Sequence, residues 1–174
     1  MLLQDLDVKE KVTTGGAVNK PTSDYSSIPQ ELKELRQWVV WKYGVDDKGR
    51  PTKHPYQPHK PQKKAKSNDP KTWNTFELTV KEAAKGFDGV GFVFSKTDPY
   101  TGVDLDKCRN AETGEIEPWA LEIIARLNSY TEVSPSGRGV HILVKGKLPP
   151  GPRRKAQVEM YSEGRYFTMT GILP

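Results

Sequence analysis

Two aspartates spaced one residue apart stand out in the fragment Val103-Asp104-Leu105-Asp106. Successive side chains of a β-strand point to opposite faces, so this spacing predicts that both carboxylates share one face. Their Cα atoms would lie roughly 6.5 to 7 Å apart, and the two charges would repel unless a cation bridged their oxygens. Mg²⁺ or Mn²⁺ could do so. The alternative is an exposed strand end with two solvated acids.

A single polar residue flanked by apolar neighbours recurs in two later predicted strands, at His141 and at Glu159. If one sheet holds all three strands and two helices cover its apolar side, Asp104, Asp106, His141 and Glu159 meet on the open side. Three carboxylates that hold two divalent ions suit in-line nucleotidyl transfer or phosphodiester cleavage. In this arrangement we expect His141 to contact a triphosphate rather than a metal. The alternative is a structural histidine.

The run Ser134-Pro135-Ser136-Gly137-Arg138-Gly139 lies between these strands. Its small residues would let backbone N–H groups and hydroxyls approach an anion closely, so the run could cradle a triphosphate. An ordinary hairpin turn has the same composition. Arg165 begins a later predicted strand, where it could clamp a phosphate through a bidentate pair or lie on the surface.

The elements around these residues predict a mixed α/β order, and no internal repeat is present. Residues 1 to 27 have few large apolar side chains and are predicted to form a flexible arm. The following segments are a short helix at 29–35, a strand at 37–43, a hairpin partner at 52–56, a Pro-broken basic loop, a helix from about 70 to 86, adjacent strands at 89–94 and 102–106, a helix from 117 to 127, and strands at 130–133, 140–144, 157–161 and 166–170.

Composition narrows the class of protein. The chain has 174 residues, 34% of them hydrophobic, and its apolar runs are too short for a membrane-spanning helix. Without a secretory signal at Met1, we expect an intracellular protein that binds no membrane. The single cysteine, Cys108, excludes an intrachain disulfide and a thiolate-rich zinc site.

Positive charge is concentrated in one stretch. The chain carries a net charge of +5, and the segment 48–71 holds eight Lys or Arg against one Asp. Such a basic, Pro-rich stretch suits phosphate backbones, because bound Lys and Arg release counterions from nucleic acid. A solvated loop would have the same charge.

The order of these motifs resembles the archaeo-eukaryotic primase superfamily, specifically phage and plasmid primase-polymerases. The resemblance rests on Val-Asp-Leu-Asp at 103–106, on Ser-Pro-Ser-Gly-Arg-Gly-Val-His at 134–141, and on Val-Glu-Met-Tyr at 158–161 followed by Gly-Arg-Tyr-Phe-Thr-Met-Thr-Gly at 164–171. It implies an α+β fold in which an RRM-like mixed sheet and a smaller N-terminal α/β unit form a cleft. It also implies that residues 28–174 are the catalytic domain.

The resemblance further implies roles for individual residues. Asp104, Asp106 and Glu159 would bind two Mg²⁺ or Mn²⁺ ions, and His141 would contact the phosphates of the nucleotide. The other expected triphosphate contacts are Ser134, Ser136, Gly137 and Arg165, with Lys53 as a further candidate.

The expected partners are a DNA template with its primer, dNTPs or also NTPs, and a replicative helicase acting in trans. Family members usually continue beyond the point that corresponds to Pro174, so we expect a truncated or split form. Primer extension should survive such a truncation better than de novo priming does.

Two other functions fit the same residues. The three acids could serve a metal-dependent nuclease, which would not require dNTPs. Alternatively, the domain could grip single-stranded DNA without catalysis, through the basic stretch and aromatic residues such as Trp41, Tyr43 or Tyr56.

Overall fold

The computed structural model describes residues 25–174. The helices are α1 (Gln30–Lys33), α2 (Phe76–Ala83) and α3 (Pro118–Leu127). The strands are β1 (Trp38–Val45), β2 (Pro51–Gln57), β3 (Lys60–Lys64), β4 (Gly89–Val93), β5 (Tyr100–Leu105), β6 (Tyr130–Val133), β7 (Val140–Lys145), β8 (Arg154–Lys155), β9 (Val158–Tyr161) and β10 (Tyr166–Met169). Most of the predicted N-terminal arm falls on residues 1–24, outside this description, and the arm remains a prediction.

The strands form two five-stranded sheets, so the predicted α+β class is confirmed. The first sheet has the order β10-β4-β1-β2-β3 and the second has the order β6-β7-β5-β9-β8. All strand pairings within residues 25–174 are antiparallel, so the expected mixed sheet is wrong. The first sheet is not purely N-terminal either, because β10 returns to pair with β4.

A row of aromatic residues builds the core of the first sheet. Trp38, Phe92 and Phe167 lie opposite one another on β1, β4 and β10. Phe76 of α2 packs edge-on against Trp38 with ring centroids 4.8 Å apart. The same core cluster includes Leu143 of the second sheet, so it joins the two sheets as well as α2.

The second sheet has an apolar face covered by α3. The buried residues of this cluster are Val103, Leu105, Cys108, Ala120, Val140 and Ile142. Trp119, Ile123, Ile124 and Leu127 of α3 pack against them, which is the face that the helical periodicity predicted. The expectation that two helices cover this sheet is wrong, because α2 packs on β1 and β4 of the first sheet instead.

Two predictions about the strands differ from the structure. Strands β4 and β5 are not adjacent, because the turn after Phe94 carries the chain from the first sheet into the second. The basic stretch after β2 is not a loop throughout: β3 forms an edge strand on β2. An edge strand leaves half of its N–H groups outside the ladder and therefore tolerates Pro61.

Helix α2 begins later than its apolar periodicity predicted. Pro70–Thr72 form only a short 3-10 turn, and α2 starts after Thr75, whose hydroxyl accepts a hydrogen bond from the Leu78 N–H. Trp73 is extended and is buried with Val93 in a small separate cluster. Its regular spacing from Phe76 therefore did not reflect a shared helix. No helix of residues 25–174 is long and apolar enough to cross a bilayer.

Candidate active site

One row of ionisable side chains crosses the whole second sheet. Glu132 lies opposite His141, His141 opposite Asp104, Asp104 opposite Glu159, and Glu159 opposite Arg154. Directly opposed residues of neighbouring strands point to the same face of a sheet. We call these five residues the charged row.

The preceding row on the same face is apolar. It contains Tyr130, Leu143, Gly102 and Tyr161, and Phe94 and Phe167 of the first sheet pack so closely on Gly102 that no Cβ would fit. The face is thus partly covered by the first sheet, and the charged row lies at the edge of that contact. The expectation of an open polar face holds only for this edge.

Asp104 occupies the centre of the charged row. Its pKa lies above its ordinary value, chiefly because the carboxyl is buried, and the charges of Asp106 and Glu159 raise it further. His141 and Lys53 act in the opposite direction. The Nε2 of His141 lies 3.9 Å from Oδ1 of Asp104. A divalent cation between these acids would offset the cost of their charges.

Asp106 follows the last residue of β5 and lies in a turn, so the predicted strand ends one residue too late. Its backbone N–H donates to the carbonyl oxygen of Gln157 at 2.9 Å. Its charge acts on both Asp104 and Lys53. Burial lowers the pKa of Lys53, and the two aspartates oppose that shift. The predicted pair of acids therefore shares one electrostatic environment with this lysine.

Each of the two carboxylate oxygens of Glu159 contacts a neighbouring side chain. Arg154 Nη1 lies 3.0 Å from its Oε1, and the Tyr161 hydroxyl donates to its Oε2 at 2.7 Å. Arg165 lies over the Tyr161 ring, 5.0 Å from the centroid. Within residues 25–174 no group of three or more His, Cys, Asp or Glu side chains has an arrangement that could hold a metal ion. The acids are neighbours, but Glu159 is directed to Arg154 and Tyr161.

A cleft of about 680 Å³ opens beside the charged row, and we call it the Asp104 cleft. Five of the predicted site residues line it: Lys53, Asp104, His141, Glu159 and Arg165. The Tyr166 hydroxyl donates to the backbone carbonyl of Lys53 at 2.6 Å and so ties β2 to β10. Acids and cations thus face the same volume, as a site for metal-bound phosphates would require.

The small-residue loop lies beside a different cavity. Ser134 and Gly137 line a cavity of about 470 Å³ together with Trp41 and Tyr43. The hydroxyl groups of Ser134 and Ser136 are 3.0 Å apart and hydrogen-bond each other. Lys53, which lines the Asp104 cleft, has its Nζ 5.7 Å from the centre of the ring of Trp41, which lines this second cavity. The structure therefore does not bring the loop into the Asp104 cleft itself.

Sequence reasoning missed Glu132, which contacts His141 at Nδ1, the ring nitrogen that does not face Asp104. Glu132 is 0% exposed, and its Oε1 lies 3.4 Å from Nδ1 of His141. It also accepts hydrogen bonds from the backbone N–H groups of Thr170 and Gly171 and from the Tyr130 hydroxyl. Glu132 thus orients the ring so that Nε2 of His141 faces Asp104. The alternation that revealed His141 also marks Glu132 between Thr131 and Val133.

Sequence reasoning also missed Arg154 and Tyr161, which contact Glu159 directly. Arg154 lies in the basic segment Pro152-Arg153-Arg154-Lys155, where a strand of only two residues shows no periodicity. Tyr161 could have been found, because it lies two residues after Glu159 and so shares its face.

Comparison with known proteins adds one relative. Over 147 residues, which cover 80% of this chain, the sequence is 39% identical to the DNA primase-polymerase of Nitratiruptor phage NrS-1. This chain is similar to a phage primase-polymerase. It spans 20% of the length of that relative, so the similarity concerns one part of a longer protein. No protein-family model matches the chain.

Proposed function

We propose that this chain is the catalytic domain of a DNA primase-polymerase that extends a primer with dNTPs on a DNA template. The observation that carries the proposal is the position of Asp104 between His141 and Glu159, facing a cleft that Lys53 and Arg165 also line. The similarity to the phage DNA primase-polymerase supports the same class of reaction. The ordered motifs and the cleft between two sheets support the archaeo-eukaryotic primase fold.

Asp104, Asp106 and Glu159 would hold two Mg²⁺ or Mn²⁺ ions. Bound divalent ions supply Lewis acidity for the attacking hydroxyl and charge stabilisation for the departing pyrophosphate. The chemistry of the donors suits such ions, because all three groups are carboxylates, which are hard oxygen ligands, although Glu159 would have to turn from Arg154 and Tyr161 to join the two aspartates. The pKa of Asp104 is raised chiefly by burial and further by the charges of Asp106 and Glu159, and bound cations would favour its ionised form.

The remaining residues of the cleft bind and orient the nucleotide. Lys53 and Arg165 present cations to the triphosphate, and Arg165 is held in place over the Tyr161 ring. His141 would donate a hydrogen bond to the phosphates through Nε2 while Glu132 fixes its ring. Most of the rate enhancement in phosphoryl transfer comes from positioning and electrostatic stabilisation, which this set of residues can supply.

Extension of a labelled DNA primer on a DNA template, with dNTPs and Mg²⁺ or Mn²⁺, tests the proposal. The wild-type chain should give longer products, and the Asp104→Ala, Asp106→Ala double variant should give none while it still binds DNA. Polymerisation by the double variant would refute the assignment of the acids.

The same assay separates the two other functions. A nuclease would shorten the labelled strand without dNTPs, and the double variant would lose that shortening. A DNA-binding module would bind the template, more weakly at high salt, and give no product with any metal ion. Either result would refute the polymerase proposal for this chain.

A further inference from the structure

Arg154 presents a guanidinium group at the edge of the Asp104 cleft. It belongs to β8, a two-residue strand at the edge of the second sheet, and its side chain is 65% exposed. It lies directly opposite Glu159, with Nη1 3.0 Å from Oε1. It lines the same cleft as Asp104 and His141.

The ion pair between Arg154 and Glu159 conflicts with a metal-binding role for Glu159. The guanidinium of Arg154 places a positive charge 3.0 Å from one oxygen of Glu159, where it opposes the approach of a divalent cation to that carboxylate. The other oxygen of Glu159 accepts from Tyr161. Movement of Arg154 away from Glu159 would therefore favour the binding of a cation by this carboxylate.

Without a bound metal ion, the same ion pair reduces the repulsion between Glu159 and Asp104. Asp104 and Glu159 are directly opposed across two strands, and their like charges repel. Arg154 supplies the positive charge that compensates Glu159 while no cation is present. Its exposure lets it change rotamer without breaking core packing.

We infer that Arg154 exchanges partners: it pairs with Glu159 in the nucleotide-free cleft and turns to the triphosphate of the incoming nucleotide when Glu159 becomes a metal ligand. This inference rests on the proposed function. Guanidinium groups bind phosphate through two parallel N–H donors, so the exchange replaces one charge-assisted pair by another. Arg154 would then be a nucleotide-positioning residue, and its pairing would delay metal binding until nucleotide arrives.

Lys155 is a matched control. It is the next residue of β8, is exposed, and lies opposite Val158, whose side chain packs on the α3 face of the sheet. Its side chain therefore points away from the charged row. Lys155→Gln removes the same single charge from the same edge strand as Arg154→Gln.

The first test measures Mn²⁺ binding by electron paramagnetic resonance without nucleotide, in the wild type and in Arg154→Gln, Lys155→Gln and Asp104→Asn. Arg154→Gln should bind Mn²⁺ about two- to fivefold more tightly, as expected for the loss of one exposed ion pair. Lys155→Gln should match the wild type, and Asp104→Asn should bind more weakly. Equal Mn²⁺ affinities of the two glutamine variants, with Asp104→Asn weakened, would refute the inference alone.

The second test measures the dependence of primer extension on dNTP concentration. Arg154→Gln should raise KM for dNTP about three- to tenfold with a smaller change in kcat, whereas Lys155→Gln should leave both unchanged. An unchanged KM in Arg154→Gln would refute the contact with the triphosphate. If Asp104→Asn binds Mn²⁺ like the wild type and no variant extends primers, the proposed function fails and the inference fails with it.

Discussion

Asp104 and Glu159 lie directly opposite each other on β5 and β9, and the pKa of Asp104 is above its ordinary value. Burial is the main cause, and the neighbouring acids add to it. A carboxyl group whose pKa is raised by folding destabilises the folded state at neutral pH, where it must be ionised. The ionised Asp104 therefore lowers the free energy of unfolding, and bound cations would reduce this effect.

Asp104→Asn should separate stability from activity. Removing the buried charge should raise the melting temperature of the metal-free protein, by about 2–4 °C for a relief of ~1 kcal/mol. Primer extension should fall by at least ~100-fold, because an electrostatic element of the site is lost. Differential scanning calorimetry and the extension assay check the two effects. Asp47→Asn, in the exposed turn after β1, should change neither quantity.

Glu132→Gln should weaken both the fold and the site. The carboxylate accepts N–H groups on both of its oxygens, from Thr170 and Gly171, and an amide nitrogen cannot replace one of these acceptors. The free energy of unfolding should fall by about 1–3 kcal/mol, as measured by urea denaturation. A Glu132→Gln protein of unchanged stability would contradict the role of this residue as a clamp on the segment after β10.

Gly139→Ala should disturb the junction between the small-residue loop and β5. A Cβ at this position would lie 2.6 Å from the carbonyl oxygen of Leu105 and 3.5 Å from Cα of Asp106. The backbone must shift to accept it, so we expect a loss of about 1–3 kcal/mol in stability and reduced primer extension. Ser136→Ala, in the same loop, adds no atoms and should have a smaller effect on both. Equal effects of the two substitutions would argue against the close approach of the backbones.

Buried tyrosines should limit stability at alkaline pH. Burial, helped by Glu31, raises the pKa of Tyr100 to about 12, and burial also raises the pKa values of Tyr130 and Tyr166. Because the folded-state pKa exceeds the unfolded value of about 10, the stability from neutral Tyr100 is complete below pH ~10 and is lost as the pH rises toward 12. Tyr100→Phe should therefore shift alkaline unfolding, followed by circular dichroism, to higher pH. Ionisation of Tyr100 near pH 10 in the folded protein, seen by tyrosinate absorbance, would contradict this.

Local patterns predicted most strands, because period-two alternation records which face of a strand is buried. They placed Asp104, His141 and Glu159 on one face, and the structure brings these three side chains into adjacent positions of the charged row. The roles of the three residues in binding metal and nucleotide remain predictions.

What the sequence could not predict depends on contacts between distant segments. The chain crosses from β4 in the first sheet to β5 in the second, and β10 later returns to pair with β4. This path packs Phe94 and Phe167 on Gly102, a contact between distant segments that local propensity does not record. The predicted start of α2 was too early, because Trp73 is buried in a separate cluster with Val93 and does not belong to the helix. Arg154 was missed because an edge strand of two residues has no period to detect.

Template-directed incorporation of single nucleotides distinguishes a polymerase from the nuclease and the DNA-binding module. One labelled primer is annealed to four DNA templates that differ only in the next base, and each duplex receives one dNTP at a time with Mn²⁺. The wild-type chain should add only the complementary nucleotide, and Asp104→Asn should add none. Addition that ignores the template base, addition by Asp104→Asn, or no addition by the wild type would contradict the proposed function.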